Sequence, residues 1–173
     1  MSKADIAARG LADEYELNQF PVDVERVAEG LGIIVVRQEG PEDLSGMLLR
    51  RDGQVAIGLN PAHPATRQRF ALAHLIGHHQ LHPRRDLILD TDQRITYEAD
   101  RIGLACLPLD REEADANRFA AMLLAPPSAV RNAVHATPYG TAEELLRALA
   151  GQFGLSHATM GYWLIALGMI VHP

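Results

Sequence analysis

Apolar positions recur at helix or strand spacing along most of the chain, and the changes of period divide it into elements. Residues 3–18 carry Ile6, Leu11 and Tyr15 among alanines and acidic residues, which predicts an amphipathic helix. A second helix is expected to start at Pro21, with Val22 to Leu31 as its body and Gly32 as its stop. Ile33 to Arg37 is a β-branched run and predicts a strand. Ser45 to Leu49 and Gln54 to Leu59 flank Arg50-Arg51-Asp52-Gly53, and the Asp-Gly pair predicts a hairpin.

The remainder reads as mostly helical. Pro64 to Leu81 forms one long helical pattern stopped by Pro83. Residues 83–108 read as a long connection with short apolar patches at Leu87 to Leu89 and Gly103 to Leu107. Asp110 to Leu124 is helical and ends at Pro126-Pro127, and Ser128 to Val134 adds a turn or two. Thr141 to Phe153 opens with a capping box made by Thr141 and Glu144. Ser156 caps a last helix that Gly168 closes. The pattern predicts an α+β fold, a small sheet beside paired helices with a helical C-terminal cap.

Composition narrows this picture. A length of 173 residues fits a single domain over 1–173, of which 139–173 form the helical cap. The 47% hydrophobic and 22% charged fractions suit a folded chain. Cys106 is the one cysteine, so no internal disulfide forms, and a reducing, cytoplasmic setting is expected. Cys106 sits in an apolar stretch and reads as an inert thiol. The start lacks the apolar core of a signal peptide, and no run reaches the ~18 apolar residues that span a bilayer. Sixteen Lys and Arg against 22 Asp and Glu give a net charge of −6, which argues against bulk nucleic-acid binding.

The chemistry concentrates in HPATRQRFALAHLIGHHQLHP, which holds five of the eight histidines. His74, His78 and His82 are spaced by four, so on a helix they share one face. The first two can direct imidazoles at one ion, as in the HE-x-x-H metal motif. Here that motif reads HLIGH, with Leu75 in the glutamate's place and Gly77 admitting a close neighbour. Four-spaced histidines also line ordinary solvated faces, so a third ligand is needed. REEADANRFAAMLLAPP offers Glu112, Glu113 and Asp115, although acids in a first helical turn also serve simply to stabilise the helix dipole.

Taken together these segments resemble the ImmA/IrrE family of zincin-like metallopeptidases over most of the chain. PVDVERVAEGLGIIVV is similar to the family's helix-strand opening, and DLSGMLLRRDGQVAIGLN to its hairpin ending in Asn60. RQRFALAHLIGHHQLH resembles its metal-binding helix, and DANRFAAMLLAP the helix that follows. LAGQFGLSHATMGYWLIALGMI is similar to the closing helix pair. The resemblance implies a minimal zincin fold and a Zn²⁺ ion. It implies His74, His78 and Asp115 as ligands, Asp115 because it directly precedes Ala116-Asn117. It also implies His82 and Asn117 as supporting residues outside the ligand set.

Leu75 departs from the family pattern at the general base. Leucine has no lone pair and no titratable proton, and general acid–base catalysis is typically worth ~10²–10⁴-fold. Glu112 or Glu113 are candidate substitutes, and His79 another, although it lies ~100° round the helix from His78. The expectation is a zinc-binding family member impaired as a peptidase, acting by recognising a protein. Family members are often paired with helix-turn-helix repressors and cleave them, so a repressor-like partner is implied. One alternative is an active zinc metallopeptidase with a displaced base. Another is a DNA-binding module, since the tail has a helix-turn-helix outline. Against it, His157 to Gly168 holds no Lys, Arg, Asn or Gln to meet bases or phosphates. Met160, Trp163, Leu164 and Leu167 form an apolar stripe there that reads as packing.

Overall fold

The computed structural model describes residues 1–91 and 108–169, so Cys106 and the apolar patch Gly103 to Leu107 lie outside the described residues. Two helices open the chain, α1 (Lys3–Glu14) and α2 (Val24–Gly30). Three strands follow, β1 (Ile33–Arg37), β2 (Leu44–Arg51) and β3 (Gln54–Leu59). Then come α3 (Ala65–Leu81), β4 (Leu87–Thr91) and four more helices. These are α4 (Pro108–Leu124), α5 (Pro127–Ala136), α6 (Ala142–Phe153) and α7 (His157–Ala166). The architecture is α+β, as the sequence pattern predicts.

The sheet runs β1-β3-β2-β4, with β1 parallel to β3 and the other pairs antiparallel. Asp52 and Gly53 both take positive φ, 51° and 77°, which is the backbone a two-residue hairpin needs. Ile33, Leu48, Ile57, Leu59 and Ile88 point inward and are buried. They pack beneath α3, whose residues Ala71 to His78 are all buried. α3 is therefore enclosed, with the sheet on one side and α4 on the other, while α1 packs on α4 in turn.

Several boundaries differ from the sequence reading, each for a local reason. β4 lies within the stretch expected to be a connection. Its consecutive Leu87-Ile88-Leu89 hides the alternation, yet Ile88 points into the core while Leu87 and Leu89 face out. The second helix starts at Val24 rather than Pro21, because the Asp23 side chain accepts the Arg26 amide as its cap. α1 stops at Glu14, short of residue 18, and Glu16 takes a φ of 53°. α5 reaches ten residues from Pro127, longer than a turn or two, with Val130 and Ala133 buried to hold it. The capping boxes of α1 (Ser2 and Asp5) and α6 (Thr141 and Glu144) are both formed.

Two polar contacts fasten the helical layer. The Trp163 indole Nε1 donates to the Ala125 carbonyl at 2.8 Å, which ties α7 to the end of α4. Arg118 of α4 donates through Nε to Asp5 Oδ1 at 2.6 Å and through a terminal nitrogen to Oδ2 at 3.2 Å. Burial raises the Asp5 carboxyl, but the Arg118 and Ser2 hydrogen bonds outweigh it and hold its pKa at about 2.

A carboxyl depressed on folding stabilises the protein above its unfolded pKa and loses that contribution as pH falls through the folded value. Asp5→Asn should therefore cost ~1–2 kcal/mol at neutral pH, with the half-exposed Arg118 limiting the effect. The penalty should fade between pH ~4 and pH ~2. Denaturant melts of both proteins across that range check this, and a penalty independent of pH would contradict it.

Candidate metal centre

α3 and α4 approach closely where α3 has no side chain. A Cβ built on Gly77 would lie 2.9 Å from Phe119 Cδ1 and 3.2 Å from the Ala116 carbonyl oxygen. Glycine at this position lets the helices meet, as HLIGH suggests. On either side of the contact, His74 and His78 project from α3 toward Glu113 and Asn117 of α4.

Three donor atoms converge there. His74 Nε2 and His78 Nε2 are 3.1 Å apart, and Glu113 Oε2 lies 3.2 Å from the first and 3.4 Å from the second. Both histidines are buried, and the Glu113 side chain is only 14% exposed. Zinc bonds of ~2.0–2.2 Å to N and O ligands in a tetrahedron place the ligand atoms roughly 3.3 Å apart. The donors already hold that spacing, and among the described residues they form the one group of at least three such donors able to take an ion.

Each ring is also oriented from behind. The Asn117 Oδ1 lies 2.8 Å from His74 Nδ1 and can accept a hydrogen bond from it, which would leave Nε2 free to face an ion. His82 Nδ1 lies 3.1 Å from His78 Nδ1 and can do the same for the second ring. His82 and Asn117, which the resemblance implies as supporting residues, are thus each one hydrogen-bond length from an imidazole.

The third carboxylate differs from the expected one. Glu113, rather than Asp115, meets the histidines. Glu113 and Asn117 are four apart and share the face turned toward α3, whereas Asp115 is ~200° round the helix from Glu113. Asp115 acts instead on His82, by charge. Helix phase accounts for the difference: with Asn117 fixed on the His74 face, the acid that joins it is the one a full turn earlier. Glu113 is likewise no spare base, since it is engaged with both imidazoles. Glu112 turns away to Arg85, whose Nε lies 2.8 Å from its Oε2.

The electrostatics fit a cation. Burial pushes the Glu113 carboxyl up, but hydrogen bonds and charge from His74 and His78 reverse this and hold it well below the usual carboxylate range. Burial pushes His74 down, yet the Asp90 charge, Glu113 and Asn117 more than offset this and raise it. His78 is lowered, chiefly by burial. Burial also lowers His79, helped by the charge of Arg50, and His79 is not one of the converging donors. The sequence reading missed Asp90. It is 1% exposed on β4, paired across the sheet with Gly46. Its only sequence signal is an acid ending an apolar run.

Leu75 is ~100° round α3 from His74 and turns toward the sheet. It is fully buried, and its Cδ1 would be 3.0 Å from a Cβ on Gly46 of β2. The general-base position of the motif is thus filled with hydrocarbon packed on the sheet.

Chain purified without chelator should carry about one zinc per molecule by elemental analysis. His74→Ala, His78→Ala or Glu113→Ala should abolish or severely weaken uptake, while Asp115→Ala should retain it. Asn117→Ala should weaken affinity ~10–100-fold, as for other residues that orient ligands. Gly77→Ala should reduce affinity too, by pushing α4 and Glu113 away. Zinc loss in Asp115→Ala with retention in Glu113→Ala would overturn the assignment.

No curated protein matches the chain. The family model of the IrrE N-terminal-like domain, peptidase M78, matches residues 28–164, from within α2 to within α7. That span holds the sheet, both histidines and Glu113, and covers most of the chain. The chain therefore belongs to the IrrE N-terminal-like, peptidase M78 family.

Proposed function

We infer that this chain is a zinc-binding member of its family whose peptidase chemistry is impaired, and that it acts by recognising a regulatory protein of the helix-turn-helix repressor kind. The observation that carries this reading is Leu75: fully buried against β2, it sits where the motif needs a proton acceptor. His74, His78 and Glu113 would hold the ion, and their donor set suits zinc. When bound, zinc supplies Lewis acidity toward a carbonyl and lowers the pKa of a coordinated water.

The chain's own residues do the rest. Asn117 and His82 fix the two rings with Nε2 facing inward. The burial of both histidines excludes bulk water from behind the ligands. Proton transfer to a leaving amine needs a group that can both accept and donate. Leu75 can do neither, Glu112 is paired with Arg85, and Glu113 is committed to the histidines. A zinc ion held by these residues without a base would still supply Lewis acidity toward a carbonyl, which is consistent with a recognition role.

A displaced base is the second reading, and one observation favours it. Asp90 is a buried carboxylate close enough to raise His74 by its charge. An active peptidase built this way would lose cleavage in Asp90→Asn and keep it in wild type.

The test uses zinc-loaded protein and a helix-turn-helix repressor-like protein as substrate. The parent chain should bind that protein and leave it intact. Leu75→Glu should gain chelator-sensitive cleavage, ~10²–10⁴-fold above the parent. The new carboxyl enters a dry contact with β2, so the variant should also be less stable than the parent without metal. Chelator-sensitive cleavage by the unaltered chain would contradict impairment. If Asp90→Asn then abolished it, the displaced-base reading would replace ours.

A further inference from the structure

The outer face of the sheet is unusually uniform. Its residues form two rows across all four strands. Ile34, Ala56, Leu49 and Leu87 make one row, and Val36, Gly58, Met47 and Leu89 make the next. None is polar or charged. Six are large, and each of those is 38–54% exposed. They leave on the order of 500 Å² of apolar surface, at the upper end of the largest patch a monomer normally shows. A half-solvated antiparallel sheet ordinarily puts polar residues at such positions.

We propose that this face packs against the same face of a second copy of the chain, around a two-fold axis parallel to the strands. The argument is shape. The small residues Ala56 and Gly58 are both on β3, and the large Leu49 and Met47 are both on β2, at matched registers. A two-fold axis between those central strands lays β3 of one copy over β2 of the other. Small then faces large at every central position, and β1 lies over β4, so Ile34 opposes Leu87 and Val36 opposes Leu89. An axis across the strands would not bring each row over itself in this way.

Charge agrees with this arrangement. Despite a net charge of −6, neither row carries a charge that a second copy would repel. Arg51 and Gln54 are cross-strand partners just beyond the rows, so Arg51 would meet Gln54 of the second copy rather than another arginine. Size agrees as well. Two such faces bury about 1,000 Å², the lower bound for a specific interface, and aligned sheets pack at about −30°, which their twist supplies. A dimer at this threshold is reversible, with Kd in the micromolar range. The donor group lies beyond the sheet's inner face, between α3 and α4, so this contact does not cover it in either copy.

Sedimentation equilibrium of the full-length, zinc-loaded chain should show a monomer–dimer equilibrium with a micromolar midpoint. Leu49→Glu should weaken it roughly 100-fold or more, because each interface would then bury two unpaired carboxylates. Its zinc content and melting temperature should stay near those of the parent, since Leu49 is 42% exposed. Orientation is tested in a Cys106→Ser background with a short bis-maleimide. A mixture of Ile34→Cys and Leu87→Cys chains should crosslink to dimers, and either chain alone should not. In one copy those positions are on opposite edges of the sheet, about 14 Å apart. A parent that is monomeric at all concentrations overturns the proposal. A Leu49→Glu variant that dimerises as well as the parent, or crosslinking of each single variant to itself, would also overturn it.

Discussion

The contact that everything else depends on is the close crossing of α3 and α4 at Gly77. A methyl group there would collide with Phe119 and press on the Ala116 carbonyl. Because glycine permits the approach, Glu113 and Asn117 reach the imidazoles of His78, the next residue, and His74, one turn before. Donor spacings of 3.1–3.4 Å leave little tolerance, since a shift of ~1 Å would open the group beyond what one ion can bridge. The convergence of these donors is therefore a packing consequence before it is a chemical one. The bond from Arg118 to Asp5 and the bond from Trp163 to Ala125 hold α4 in place from its other sides.

α3 itself has two unlike faces, and the division explains the functional reading. His74, Gly77 and His78 face α4, and Leu75 faces the sheet. Gly46 matters on that second side as Gly77 does on the first. A Cβ there would strike the Gly58 carbonyl at 2.8 Å and the Leu75 side chain at 3.0 Å. The leucine fills a space shaped by a glycine, so its burial is integral to how helix and sheet fit. The one substitution that removes the expected proton acceptor thus also adds apolar contact to the core, worth ~1.5–3 kcal/mol for a fully buried side chain. Leu75 thus supports the core, and the position where the motif carries its proton acceptor holds a side chain with none.

Much of this was readable in the sequence because it is local. The four-residue spacing of His74 and His78, the Asp52-Gly53 hairpin and the Thr141 capping box each depend on neighbours a few residues away. The family resemblance then ordered the elements correctly. What failed depended on phase or on distant partners. Asp115 stands beside Ala116-Asn117 in sequence, but on the helix it is Glu113 that shares the face of Asn117 and meets the histidines. β4 has no alternation of its own to mark it, because a strand of five residues is defined by pairing with β2, far earlier in the chain. Asp90 was missed for the same reason: only the sheet register carries its charge close to His74. The uniform outer rows were likewise invisible until the registers of four strands were known.

Anomalous diffraction at the zinc edge, on crystals of the zinc-loaded chain, tests the central claim most directly. The account predicts a single strong peak ~2.0–2.2 Å from His74 Nε2, His78 Nε2 and a Glu113 carboxylate oxygen, with the Leu75 side chain still packed on β2. A peak bonded to Asp115, or none between α3 and α4, would contradict it.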